Sequence, residues 1–82
     1  MAKASPIGER VKQARQLGNV SQKQLTRSAE LGTGHLSHIE AGRRKRLRPA
    51  TFDAIARALA LHGVRVTSEW LRTGEGKPPK AA

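Results

Sequence analysis

His35 and His38 are the residues whose type and spacing offer the most chemistry in this sequence. Residues three apart share one face of a helix, so both imidazoles can meet the same partner. Two histidines can ligate a metal ion, but a metal site needs a third ligand and none follows in a suitable pattern. An imidazole can also hydrogen-bond to base edges, and to phosphate when it is protonated. We therefore expect a polar recognition surface without a metal or a cofactor.

The neighbours of the two histidines are small or polar. Thr33 and Ser37 carry hydroxyls that can bond to phosphate, and a threonine methyl can contact a thymine methyl. Gly34 either allows close approach of the backbone or is merely tolerated near a helix start. None of these residues is an arginine, asparagine or glutamine, which bond to bases in pairs of hydrogen bonds. If the partner of this surface is DNA, recognition would therefore depend partly on the shape of the duplex.

A run of cations follows this segment. Five of the six residues from Arg43 to Arg48 are lysine or arginine, and the chain has 16 such residues against 6 Asp and Glu, a formal net charge of +10. This charge favours a polyanion as partner, most commonly the phosphate backbone of nucleic acid. A solvated basic surface, a nuclear-localisation signal or a heparin-type patch would give a similar run. Its position after a candidate recognition helix favours phosphate contact.

Two short helices must position these residues. The first has the pattern of a capping box with a hydrophobic staple, formed by Val20, Ser21, Gln24 and Leu25. The second repeats the start signal, with N′, N-cap and N4 at Leu31, Gly32 and Leu36. Ala29 allows the two helices to approach closely, and Ile39 extends the buried edge of the second. Such a pair is either a helix-turn-helix or an ordinary helical hairpin.

The remaining chain predicts three more helices. The first begins at Ser5-Pro6, stops at Gly18 and has an apolar face of Ile7, Val11, Ala14 and Leu17. The fourth runs from Pro49 to His62-Gly63 with an apolar face of Phe52, Ile55, Ala56, Leu59 and, in continuation, Leu61. Residues 64–66 are a loop or a short extended piece, and a last helix begins at Ser68. We expect an all-α fold of five short helices, with one domain over residues 1–76 and a disordered tail over residues 77–82.

The composition excludes several classes of protein. The chain has no cysteine, so it has neither disulfides nor thiolate metal sites. No apolar run approaches the roughly 18 residues of a membrane span, and no secretory signal is recognisable. We therefore expect a cytoplasmic location and no membrane contact. Two aromatic residues are too few for a platform that stacks single-stranded bases. No catalytic constellation is present, so we do not expect an enzyme.

The combined pattern resembles the Cro and phage-repressor type of helix-turn-helix regulators, the XRE-like domains. The matching residues of the helix pair are Ser21-Gln22, Leu25, Ala29, Leu31, Leu36-Ser37, Ile39-Glu40 and Gly42. Downstream, residues 55–59 and 70–76 are similar to the family's fourth and fifth helices. The resemblance spans about Ile7 to Gly76 and implies a lambda-repressor-like fold. One departure is Glu30, which occupies a position where a turn glycine is usual.

The resemblance also implies roles for individual residues. The positions that match the base-reading face are Thr33, Gly34, His35 and His38, bordered by Ser37. Those that match phosphate contacts are Gln22, Lys23, Arg43, Arg44, Lys45 and Arg46. Arg15 and Glu40 match an ion pair that ties the first helix to the third. The segment between the last two helices is longer than is usual and implies a dimer interface at Val64, Val66, Trp70 and Leu71.

These expectations favour a sequence-specific regulator that binds double-stranded DNA, most simply a repressor. It would act as a homodimer on a palindromic operator with half-sites about 34 Å apart, in a bacterium or a phage-infected cell. The first alternative is an antitoxin-type or adaptor protein whose DNA binding is autoregulatory and whose main role is to bind a protein partner. The second alternative is a sequence-blind RNA or nucleoid binder.

Overall fold

The computed structural model describes residues 6–32, 34–42 and 47–81. Within these ranges the chain forms five helices: α1 (Pro6–Leu17), α2 (Gln22–Ser28), α3 (His35–Glu40), α4 (Pro49–Leu61) and α5 (Ser68–Thr73). Two short strands, β1 (Val64–Arg65) and β2 (Lys80–Ala81), pair antiparallel. The all-α prediction of five short helices is confirmed. The predictions for Ser5, Thr33 and residues 43–46 lie outside the described residues.

The core lies where all five helices meet. Its fully buried large side chains are Val11, Leu25, Leu36, Ile39, Ile55, Leu59, Val64 and Leu71. Two leucines that the periodicity assigned to apolar faces are exposed instead, Leu17 by 45 % and Leu61 by 75 %. Each is the last residue of its helix, where the chain turns away from the neighbouring helices. No described helix is long and apolar enough to cross a membrane.

Of the two helices of the predicted pair, α2 begins where it was predicted to begin and α3 does not. Ser21 caps α2, because its hydroxyl accepts from the Gln24 amide while the Gln24 side chain accepts from the Ser21 amide. The N-cap of α3 is Gly34, however, and not Gly32. Gly34 has φ +81°, a left-handed conformation that costs glycine little. The helix therefore begins at His35, two residues later than the predicted start.

Two other turns use left-handed residues that are not glycine. Asn19, with φ 56°, closes α1, whereas the predicted stop residue Gly18 does not have positive φ. A Cβ at Gly18 would lie 2.4 Å from Cγ2 of Val64, so glycine is needed there for close packing against β1. Glu30, with φ 57°, takes the left-handed position in the turn after α2. The turn therefore has the left-handed conformation for which glycine is usual, and the glutamate side chain adds strain there.

The C-terminal segment corrects two further expectations. Lys80 and Ala81 were expected in a disordered tail, but they form β2 and pair with Arg65 and Val64. The segment implied as a dimer interface is largely interior. Val64 and Leu71 are fully buried, Trp70 is 7 % exposed, and Val66 is partly buried against the core. These side chains fill the domain's own core, so they offer little surface to a second copy.

Gly8 lets α1 lie directly on the end of α3. A Cβ at this position would be 2.4 Å from the carbonyl oxygen of Ile39 and 3.0 Å from that of Glu40. Backbone atoms cannot move aside as a flexible side chain can. This close approach of α1 to α3 therefore requires glycine at position 8.

We expect Gly8→Ala to lower the free energy of unfolding by about 1–3 kcal/mol, because the added methyl group forces the two helices apart. Urea denaturation would measure this loss. Gly32→Ala is the matched control, since a Cβ there meets nothing within 4 Å. The control should change stability by less than about 0.5 kcal/mol or increase it slightly. Equal effects of the two variants would contradict the close-packing explanation.

Candidate nucleic-acid interface

α3 has an inner and an outer face. Leu36, Ile39 and Glu40 are buried, whereas Ser37 and His38 are exposed and His35 is half-buried. The apolar residues hold the helix against the core, and the polar ones form a ridge that faces solvent. The structure thus places the predicted base-reading residues Gly34, His35, Ser37 and His38 at the N-cap and along the length of α3. Thr33 lies outside the described residues.

Gly34 and Ser37 form the first turn of this ridge. The Ser37 hydroxyl donates to the Gly34 carbonyl oxygen at 3.0 Å. Its proton is therefore used within the helix, and its oxygen can accept a hydrogen bond from outside, such as that of a base amino group. Gly34 owes its place to its positive φ, a role that sequence reasoning did not assign. The ring of His38 lies next to it, 3.8 Å from where a Cβ would be.

A groove separates this ridge from α2. Its lining residues are Gln22, Lys23, Thr26, Arg27, Gly34 and Ser37. Lys23 and Arg27 are both exposed, so two positive charges stand beside the outer face of α3. Sequence reasoning predicted Lys23 but missed Thr26 and Arg27. The four-residue spacings from Gln22 to Thr26 and from Lys23 to Arg27 place each pair on one face of α2 and could have identified them.

The ion pair between Arg15 and Glu40 ties α1 to α3. Arg15 Nε and Nη2 donate to Glu40 Oε2 and Oε1 at 2.8 and 2.9 Å, and Arg15 Nη1 donates to the Val20 carbonyl at 2.9 Å. The two side chains are 13 % and 5 % exposed. Buried carboxylates need several donors, and Glu40 has a third in the Gln22 side-chain amide at 3.1 Å. Gln22 was predicted to contact phosphate, but its side-chain amide donates one hydrogen bond within the protein.

Arg10 also has a structural role, because it links α1 to α5. Its Nε and Nη2 donate to the carbonyl oxygens of Leu71 and Arg72, at 2.9 and 2.7 Å, in the last turn of α5. Partial burial lowers the pKa of the Arg10 guanidinium from its ordinary value. A cation at a helix C-terminus satisfies the free carbonyls and complements the helix dipole. Arg10 and Arg15 therefore do not belong to the cationic surface that faces a partner.

The ends of the basic loop are fixed, although residues 43–46 lie outside the described residues. Gly42 ends α3 with φ +82°, and Leu47 is packed partly against the core. Arg48 is exposed at the N-cap of α4. Around His35 and His38, and elsewhere in the described ranges, no three His, Asp or Glu side chains are close enough together to hold a metal ion.

We expect Glu40→Ala to lower the free energy of unfolding by about 1–3 kcal/mol, because it leaves the mostly buried Arg15 guanidinium without its anion. Urea denaturation of this variant and of Glu75→Ala would test the role of the pair. Glu75 is exposed and its backbone amide, not its side chain, makes the local hydrogen bond, so the control should stay within about 0.5 kcal/mol. If Glu40→Ala lowers the free energy of unfolding by less than about 0.5 kcal/mol, the pair contributes no more than a surface ion pair.

The chain also matches a known domain. The family model for the helix-turn-helix domain covers residues 6–68, which include α1 to α4 and the whole ridge and groove. No curated protein and no solved structure matches the chain. The family match agrees with the resemblance to XRE-like domains that the residues themselves carry. This chain belongs to the helix-turn-helix domain family and is a DNA-binding domain.

Proposed function

We propose that this protein is a cytoplasmic transcription regulator, a repressor that binds a palindromic operator as a homodimer. The observation that carries the proposal is the outer face of α3, which is polar, solvent-facing and flanked by the cations of α2. In a helix-turn-helix, such a face enters the major groove while flanking cations contact phosphates. Gly34, His35, Ser37 and His38 would then face bases, and Lys23 and Arg27 would face the backbone.

The length of α3 supports the homodimer. A helix of six residues is about 9 Å long. Base pairs are stacked about 3.4 Å apart, so one such helix contacts about three of them. A sequence of three base pairs occurs too often along DNA to define one operator. Two copies on a two-fold operator double the number of base pairs that are read and set the half-sites about 34 Å apart.

The proposed mechanism is occupancy of DNA. A bound dimer near a promoter would exclude polymerase, and no chemical step is assigned to this chain. The reading face has no side chain of the bidentate kind, so operator choice would combine a few direct contacts with the width and flexibility of the DNA. The cations of the loop at 43–46, which the family resemblance assigns to phosphate, would add affinity without sequence preference.

Selection of bound duplexes from a random pool at fixed salt should yield a palindromic consensus. Affinity for that duplex should fall by about 10³-fold or more between 50 and 200 mM salt, as expected for six to ten phosphate contacts. Fluorescence anisotropy would measure the affinities. Equal affinity for selected and random duplexes would contradict a sequence-specific regulator, and a consensus without two-fold symmetry would contradict the homodimer.

Charge reversal can locate the surface that binds DNA. The double variant Lys23→Glu and Arg27→Glu should weaken duplex binding by at least 100-fold, because it repels phosphate at the groove. Arg57→Glu, on the exposed side of α4, is the control and should have a much smaller effect. If the two proteins bind the duplex alike, α2 and α3 are not the surface in question.

A further inference from the structure

A second cleft lies beside the two-stranded ribbon, and nothing above assigns it a role. Its volume is about 590 Å³, within the range of small-molecule sites. The lining comes from the end of α4, from β1 and the residues after it, and from the C-terminal segment: Ala60, Arg65, Val66, Thr67, Lys77, Pro78, Pro79 and Lys80. Three of these residues are cationic and none is acidic.

The register of the ribbon places two of the cations face to face. Arg65 and Lys80 are direct partners across β1 and β2, and directly opposed residues have their side chains on the same face. The other pair, Val64 and Ala81, turns Val64 into the core. Like charges directly opposite each other destabilise a strand pair. A ribbon of only two residue pairs has little else to offset that repulsion, so an anion between the two side chains would relieve it.

The surrounding acids leave these charges available. Among the described residues, the one ion pair within 4.0 Å joins Arg15 to Glu40, and neither of these lines the cleft. Glu69 approaches the C-terminal segment at Gly76, about 4.0 Å from where a Cβ would lie, but it does not line the cleft. Lys77, Arg65 and Lys80 therefore present an excess of positive charge to whatever enters.

The walls of the cleft are apolar. Val66, Pro78, Pro79 and Ala60 contribute hydrocarbon surface, and Val66 is partly buried against the core. Three cations match the double negative charge of a phosphate monoester better than the single charge of a carboxylate. The walls would accept a flat or apolar group attached to that phosphate.

We infer that this cleft binds a small organic phosphate, with the phosphate between Arg65, Lys80 and Lys77 and the organic group against Val66 and the two prolines. The ligand would hold the C-terminal segment against β1 by neutralising the opposed charges. The site is separate from the α2–α3 groove, so it does not depend on the DNA-binding proposal.

Phenyl phosphate is a suitable probe, titrated at constant ionic strength and followed by ¹H–¹⁵N NMR of the full chain. The shifts should concentrate at residues 65–67, Lys77 and Lys80, since Pro78 and Pro79 have no amide proton. Phenyl phosphate should bind at least tenfold tighter than inorganic phosphate. Lys80→Glu should weaken binding at least tenfold while its thermal midpoint stays equal or rises, because the variant replaces a repulsive pair with an attractive one. Arg57→Gln, outside the cleft, should change the affinity less than twofold.

Three outcomes would overturn the inference. Shifts spread over the whole basic surface, with equal losses in Lys80→Glu and Arg57→Gln, would mean unspecific anion binding. Equal affinity for inorganic and phenyl phosphate would remove the role of the apolar walls. Displacement of phenyl phosphate by a random 20-base-pair duplex, with the same residues shifting, would assign the cations to DNA backbone. The first two of these measurements contain no DNA, so a negative result in them is distinct from a failure of the proposed function.

Discussion

The placement of α3 depends on the ion pair between Arg15 and Glu40. One carboxylate receives two hydrogen bonds from α1 and a third from Gln22 at the start of α2, while Arg15 also holds the Val20 carbonyl. Three helices and the segment before α2 are thereby joined at one point. A helix of six residues is too short to be stable alone, so this junction adds to the hold that the buried Leu36 and Ile39 give α3 on the core. The position of the pair at the C-terminal end of α3 leaves the N-terminal end free to approach a ligand.

The fold divides its cations into two groups with different roles. Arg10 and Arg15 are partly withdrawn from solvent and satisfy carbonyl or carboxylate oxygens inside the domain. Lys23 and Arg27 remain exposed along the α2–α3 groove. Net charge alone therefore overstates the positive charge that is available to a partner, because Arg10 and Arg15 are bonded within the domain. The distinction rests on position and not on residue type, because Arg27 carries the same guanidinium as Arg10 and Arg15 but is exposed.

The sequence predicted what depends on local pattern. Apolar spacing located the five helices, and the Ser21 and Gln24 pair located the start of α2 because a capping box involves residues three apart. It misplaced the start of α3, since Gly34 acts through backbone conformation and not through a capping side chain. It could not show that Gly8 lies on the Ile39 carbonyl or that Lys80 pairs with Arg65, because those contacts join distant parts of the chain. Val64 and Leu71 were assigned to a dimer surface because the segment between the last two helices is longer than usual. Length cannot distinguish apolar residues that fill a core from those of an interface, and both residues are fully buried.

The family match ends at residue 68, but the folded unit continues beyond it. Trp70 and Leu71 belong to the core, and Arg10 finds its acceptors on Leu71 and Arg72. A fragment cut at the family boundary would lose these core side chains and both carbonyl acceptors of Arg10. Expression boundaries and fusion junctions drawn from family matching would therefore divide α5, whereas a chimeric regulator that carries this domain intact must extend at least to Gly74.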